Sequence, residues 1–305
     1  MSLEESGILA RIRDLLPGGL GLTDDCGALP PVPSGQRLLV TTDLMESGQH
    51  FRLDWHPPDL LARKLLAVNL SDLDASGAQA VGYTLTLALG PEVDGSWLEA
   101  FLAGLAAASR EAGVQVIGGD TVGRPSGLGL GLTAFGFAKR WLRRDGLRPG
   151  DRLFVDQLPG ASLRGLRKLQ AGQRWNPEQP DPDLEAHLAP QPHFGLGPRL
   201  AAIPEVSACL DLSDGLSRDL RNLAEASGLS IVVDPSLDED ALQGGEDYAR
   251  CFGSSLTQME LEARLGLPLI PVGTAVARGE SPVLAYDGGL LRPLPDFSFD
   301  HFGSP

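Results

Sequence analysis

Hydrophobic and polar positions in the first half of the chain switch repeatedly between a helical period and strand-like alternation. Residues 6–16 place Ile8, Leu9, Ile12, Leu15 and Leu16 at helical spacing and predict an amphipathic helix. Arg37 to Asp43 reads as a strand that ends in polar residues. Pro57-Pro58-Asp59 opens a helix expected from about Leu60 to Ser76, since proline is accepted in or before a first turn, and Gly77 is its stop. Residues 83–89 alternate as a strand does, and 95–112 return to the helical period. Val114 to Ile117 reads as a short strand feeding a glycine turn, Gly118-Gly119-Asp120-Thr121, and a glycine-interrupted strand follows over 128–138.

From 139 to 150 the chain turns basic and loop-like, with Lys139, Arg140, Arg143, Arg144 and Arg148 before Pro149-Gly150-Asp151. This predicts a boundary between an N-terminal domain, 1–140, and a C-terminal domain, 141–305. The second half repeats the mixed pattern. A strand at 152–156 and a helix at 160–171 precede a Pro-rich loop over 176–198, a helix near 197–203 and a strand ending at Asp211. A helix at 214–227 and a strand at 230–233 follow, and the remainder is less regular. Elements in this order suit an α/β or α+β layer fold in each half.

A length of 305 residues suits two cores, and 42% hydrophobic with 21% charged residues argues for globular folding over disorder. No apolar run reaches the eighteen or so residues of a membrane helix. Met1-Ser2-Leu3-Glu4-Glu5 has neither a basic nor an apolar leader region, so a cytoplasmic protein is expected. Cys26, Cys209 and Cys251 are widely spaced without CxxC or zinc-type spacing, and read as structural or incidental thiols. The net charge of −15, with no basic run carrying interleaved aromatics, argues against a nucleic-acid partner.

The acidity is concentrated. Asp24-Asp25, Thr41-Thr42-Asp43, Ser71-Asp72, Gly118-Gly119-Asp120-Thr121 and Asp211-Leu212-Ser213-Asp214 each fall at a predicted strand end, a glycine turn or a helix face. Any one of them alone reads as a turn, a cap or a polar helix face. Together, several in apolar surroundings, they ask for a counter-charge. Magnesium, held by one or two carboxylates together with substrate phosphates, is the cation such ligands suit. The common nucleotide loops are absent: Gly160 to Gly165 continues with Leu166 and lacks the P-loop lysine, and Gly127-Leu128-Gly129-Leu130-Gly131 lies within a predicted strand. No covalent nucleophile is expected. The class implied is magnesium-assisted phosphoryl transfer from ATP to a small acceptor.

Taken in order, these clusters resemble those of the thiamine-monophosphate kinases, members of the superfamily that includes aminoimidazole ribonucleotide synthetase. Further carriers of the resemblance are Gly48-Gln49-His50-Phe51, Leu66 to Leu73 with Gly77-Ala78, Arg144 before Arg148 to Asp151, Gly244-Gly245-Glu246-Asp247-Tyr248 and Asp300-His301-Phe302. The resemblance implies transfer from ATP to thiamine monophosphate, giving thiamine diphosphate without a phosphoenzyme. It implies a two-domain α/β fold whose N-terminal mixed sheet pairs with that of a second copy in a homodimer. By the family pattern Asp25, Thr41, Thr42, Asp43, Asp72, Asp120, Asp211 and Asp214 hold several Mg²⁺ ions. Gly119, Asp120, Arg144 and Ser213 contact ATP, and His50, Glu246 and Phe297 or Phe299 contact the acceptor.

The chain departs from the pattern at Thr23, at the inserted Gly27, at Val122-Gly123 where Thr-Arg is expected, at His193 in place of arginine and at Ala249 in place of glutamate. None of these removes an expected metal ligand. The alternatives are a sister ATP-dependent enzyme of the superfamily or a non-catalytic protein that binds thiamine phosphates or ATP.

Overall fold

The computed structural model describes residues 4–295 and Phe297. Four strands form the first sheet: β1 (Arg37–Glu46), β2 (Gln79–Leu89), β3 (Gln115–Gly123) and β4 (Leu128–Ala138), in the order β1-β4-β2-β3. β4 runs antiparallel to both β1 and β2, whereas β2 and β3 are parallel, so the sheet is mixed. β3 is longer than its sequence suggests. Gly118 to Thr121 is strand and not turn, because β2 supplies ladder partners as far as Leu89.

Helices α1 (Glu5–Leu15), α2 (Pro58–Ala75) and α3 (Gly95–Ala112) belong to the same half. Asp94 accepts from the Trp97 amide to start α3, and Gly113, at φ 67°, ends it in the left-handed conformation that glycine adopts freely. The inner face of the sheet, with Leu85, Leu87, Leu130 and Leu132, is fully covered and shares one core with α2 and α3. Strand alternation sends Leu38, Val40, Leu44 and Val122 to the other face, where Val40 and Leu44 keep 56% and 58% of their surface exposed.

The second sheet has seven strands: β5 (Arg152–Val155), β6 (Val206–Asp211), β7 (Leu229–Val233), β8 (Arg250–Ser254), β9 (Ile270–Ala277), β10 (Val283–Asp287) and β11 (Leu290–Pro293). Their order is β11-β10-β7-β9-β5-β8-β6. The helices are α4 (Ala161–Gln170), α5 (Pro182–Leu188), α6 (Leu196–Ala201), α7 (Leu216–Ser227), α8 (Glu239–Gln243) and α9 (Gln258–Leu265). α5 lies in what reads from sequence as a Pro-rich loop: Asp181 accepts from the Asp183 and Leu184 amides and Pro182 takes the first helical position. α9 starts with a capping box between Thr257 and Glu260.

α2 joins the two halves. Ala75 at its end packs into a core with Phe154, Leu196, Leu200 and Phe252. Asp74 accepts hydrogen bonds from Gly195 N (2.6 Å), Gly197 N (2.9 Å) and Arg250 Nε (2.8 Å), and Arg250 is wholly buried. Backbone meets backbone there: a Cβ on Gly197 would fall 1.5 Å from the Asp74 carbonyl oxygen, so only glycine fits.

Candidate functional site

Alternation along β1 turns Thr41 and Asp43 toward α2 and Thr42 away from it. The Asp43 amide donates to Asn69 Oδ1 on α2 at 3.1 Å, and Asn69 Nδ2 donates to the Leu65 carbonyl. Thr41 Oγ1 donates to Asp72 Oδ2 at 2.6 Å. The third carboxylate comes from the other half, because β6 ends at Asp211 and buries it.

These charges have too little opposite charge around them. Burial, and then the Asp211 carboxylate, push the Asp43 pKa up to about 6. For Asp72, burial and Asp211 act first and Asp43 adds to them; the Thr41 hydroxyl and Arg144 oppose, and the value reaches about 7. One oxygen of Asp43, Oδ2, is buried with no hydrogen-bond partner. An orphaned carboxylate oxygen among repelling carboxylates is what a hard divalent cation would satisfy. Among the described residues no group of three or more His, Cys, Asp or Glu side chains is arranged, as it stands, to hold a metal ion.

Asp72 and Asp211 line a cleft of about 1000 Å³ whose wall also includes Thr41 and Arg144, with Val40 and Trp141 further along. Arg144 begins a single 3-10 turn, Arg144–Gly146, just after β4. Its guanidinium is a bidentate donor suited to phosphate.

Two loops of the second half lie side by side. Glu246 N donates to Ser213 O (2.9 Å) and Tyr248 N to Leu212 O (2.8 Å), which brings Ser213, Asp214 and Glu246 together. Glu246 and Tyr248 have φ of 61° and 52°, the left-handed region that side chains disfavour. Such conformations persist where surrounding contacts impose them, and they cluster at ligand sites. Asp247 imposes them in part by accepting from Gly160 N and Ser162 N. Glu246 itself lies 2.9 Å from Lys64 Nζ and 3.4 Å from His187 Nδ1. Burial would raise its pKa, but the Lys64 ammonium and His187 hold it below the ordinary glutamate value.

Sequence reasoning did not single out Lys64, Asn69 or Asp219. Asp219 accepts from the Asp214 amide at 3.2 Å, and burial with the charges of Asp214 and Asp211 raises its pKa well above normal. The available signal was periodicity: Asp219 shares the buried face of α7 with Leu216, Leu220 and Leu223, and Lys64 sits among Leu61, Leu65 and Leu66 on α2. An ionisable residue at an apolar position of an amphipathic helix has a partner or a task.

Other expected site residues lie elsewhere. Thr42 is exposed on the outer face, accepting from Thr133 Oγ1 at 3.0 Å. Asp120 shares that face: it aligns with Thr86, which aligns with Gly131, which aligns with the exposed Leu44. Three inter-strand spacings separate Asp120 and its neighbour Gly119 from β1, about 14 Å. Asp25 is exposed near the same edge, for Gly27 packs so closely on β3 that a Cβ would fall 1.6 Å from the Ile117 carbonyl oxygen. His50 lies in the turn after β1, where its Nδ1 accepts from the Glu46 amide at 3.0 Å. Phe297 is exposed, and Phe299 lies outside the described residues. Of the departures, His193 Nδ1 lies 2.8 Å from buried Asp156 Oδ2, and Ala249 is a core residue.

Comparison with known proteins gives the following likenesses. The family described as AIR synthase related protein, N-terminal domain, matches residues 23–138. The chain is 38% identical to the thiamine-monophosphate kinase of Salmonella typhimurium, covering 100% of both chains. Among solved structures, the thiamine-monophosphate kinase from Stenotrophomonas maltophilia K279a is 35% identical with a TM-score of 0.75, covering 93% of this chain and 97% of that one. AaThiL complexed with AMPPCP and TMP is 25% identical with a TM-score of 0.77, covering 99% of each.

Proposed function

The chain belongs to the thiamine-monophosphate kinase family, and on that premise we propose that its carboxylate-lined cleft is where ATP phosphorylates thiamine monophosphate. In the reaction a phosphate oxygen of the acceptor bonds to the γ-phosphorus of ATP, the bond from that phosphorus to the bridging oxygen breaks, and ADP leaves with the electron pair. Both partners are anionic, so catalysis consists largely of placing them and compensating charge. No covalent enzyme intermediate is involved.

The observation that carries this reading is the Asp43–Asp72–Asp211 group, drawn from both halves and left short of positive charge beside Arg144. Asp43, Asp72, Asp211 and Asp214 would hold Mg²⁺, with Thr41 at their side. When bound, Mg²⁺ would supply positive charge to offset that of the phosphates on both partners. Arg144 grips phosphate, and Ser213 borders the nucleotide. Glu246, with His50 and Phe297, belongs to the acceptor side.

Thr42, Asp25, Gly119 and Asp120 complete the proposal on the outer face and the β3 edge. There Leu38, Val40, Leu44 and Val122 form an apolar surface on a sheet that is covered on its other side only. A second copy of this chain is the occupant we propose, giving a homodimer that encloses Asp25 and Asp120. On this reading the domains are 1–140 and 141–305, and the site of action is cytoplasmic, in keeping with three unpaired thiols. None of the helices among the described residues is long and apolar enough to cross a membrane.

The test is chromatographic: thiamine diphosphate formed from ATP and thiamine monophosphate, with MgCl₂ and with EDTA. Magnesium-dependent product over many turnovers is expected. Folded protein that binds Mg-ATP and forms no product would make the chain a binder and not a kinase.

A further inference from the structure

Lys64 is the most buried cation of the first half, with none of its surface exposed, and its ammonium meets Glu246 across the junction of the two halves. Glu246 keeps about a third of its side chain accessible, 31%. The pair is therefore lopsided: the lysine has left water entirely, while the carboxylate still faces a place from which a ligand can reach it. Burying a lysine for one partly solvated partner is a poor way to stabilise a fold, because desolvation offsets most of the attraction. The two imidazoles nearby, those of His56 and His187, add no positive charge at neutral pH. Burial and the Lys64 charge drive His56 down to about 3 and His187 down to about 4. Lys64 is thus the cation that sets the charge and direction of Glu246.

The loop carrying Glu246 needs such a hold. Its left-handed φ is costly, and its backbone is pinned on the side of Ser213 and Leu212, which leaves the side chain to be aimed separately. α2 does the aiming from a fixed distance. Lys64 and Asp72 lie eight residues apart on this unbroken helix, roughly 12 Å along its axis. The middle of α2 thereby meets the Glu246 loop and its C-terminal turn meets the carboxylates of the transfer cleft. We infer that Lys64 is a positioning residue for acceptor binding: it orients Glu246 toward the ring end of the acceptor, while Asp72 on the same helix serves the phosphate end. The inference rests on the reading of Glu246 as an acceptor contact.

Steady-state kinetics of Lys64→Met, Lys64→Arg, Glu246→Gln and the Lys64→Met/Glu246→Gln pair, with KM measured separately for both substrates, test it. Lys64→Met is expected to raise the KM for thiamine monophosphate about tenfold and to leave the KM for ATP within about twofold. Lys64→Arg should recover part of that loss, and the double variant should be no worse than Glu246→Gln alone, since the two residues act as one. Should Glu246→Gln raise the acceptor KM while Lys64→Met does not, the role of Lys64 is overturned and that of Glu246 stands. An acceptor KM unmoved by Glu246→Gln overturns both. A Lys64→Met variant that raises both KM values equally, or fails to fold while Lys64→Arg shows no acceptor-specific change, makes Lys64 merely structural and also overturns the inference.

Discussion

Asp72 and Asp74 stand two residues apart on α2, and their surroundings treat them in opposite ways. Asp74 is met by two backbone amides and the Nε of a buried arginine, so its charge is compensated by protein alone. Asp72 receives one hydroxyl and faces two further carboxylates, and its pKa climbs to about 7. A helix turns about 100° per residue, so two positions are enough to pass from one environment to the other. Burial by itself therefore does not separate structural from functional carboxylates. What separates them is whether the chain supplies the counter-charge or leaves it to a ligand.

The sharpest way to break this contrast is Asp72→Asn. It should lower kcat/KM by about a thousandfold or more while the melting temperature holds or rises, since a repelling charge is removed. Activity retained above about a tenth would dissolve the distinction. Asp74→Asn should do the reverse. It leaves the Arg250 guanidinium with less compensation in the interior, and urea denaturation should show a loss of about 3 kcal/mol. Activity per folded molecule should change much less than in Asp72→Asn.

Proton linkage sharpens the comparison without any mutation. Asp43 and Asp72 have folded-state values of about 6 and about 7, above the ordinary 3.8. Between these limits the native protein binds more protons than the unfolded chain. Stability of the metal-free protein is then highest near pH 4 as far as these two groups decide it, and falls as pH rises through 6 to 7. Thermal melts with EDTA should drop by about 4 °C over that window, and millimolar MgCl₂ should remove most of the drop. A melting temperature independent of pH and magnesium would contradict the raised values. The smallest effect belongs to Thr41→Val. Losing the hydroxyl that favours ionised Asp72 should shift the acid limb of the kcat/KM profile upward and change stability by about 1 kcal/mol at most.

Much of the fold could be read from the chain because the N-terminal elements are long and strongly periodic. The α3 prediction, 95–112, coincides with the observed helix. The last seventy residues were harder. β8, β10 and β11 are short, and β8 is buried at every position, so alternation is lost there. α9 carried a legible signal in Thr257 and Glu260 that its polar surroundings masked. At the site, adjacent aspartates and glycines pointed to phosphate chemistry. They could not tell which face of the sheet each residue occupies. Thr41 and Thr42 are neighbours in sequence and lie on opposite faces, and Asp120 turned out to sit on a strand instead of a turn. Lys64, Asp74 and Asp219 escaped notice because their partners arrive from remote segments, which no local pattern records.

The uninterrupted run of α2 from Lys64 through Asp72 to Asp74 has a consequence for how this chain can vary. Surface loops absorb insertions at small entropic cost. One residue added between Lys64 and Asp72 would instead turn one end of the helix about 100° against the other and lengthen it by about 1.5 Å. Lys64 could then face Glu246 only if Asp72 and Asp74 left their partners, so length changes in this helix should be rejected even where many single substitutions are tolerated.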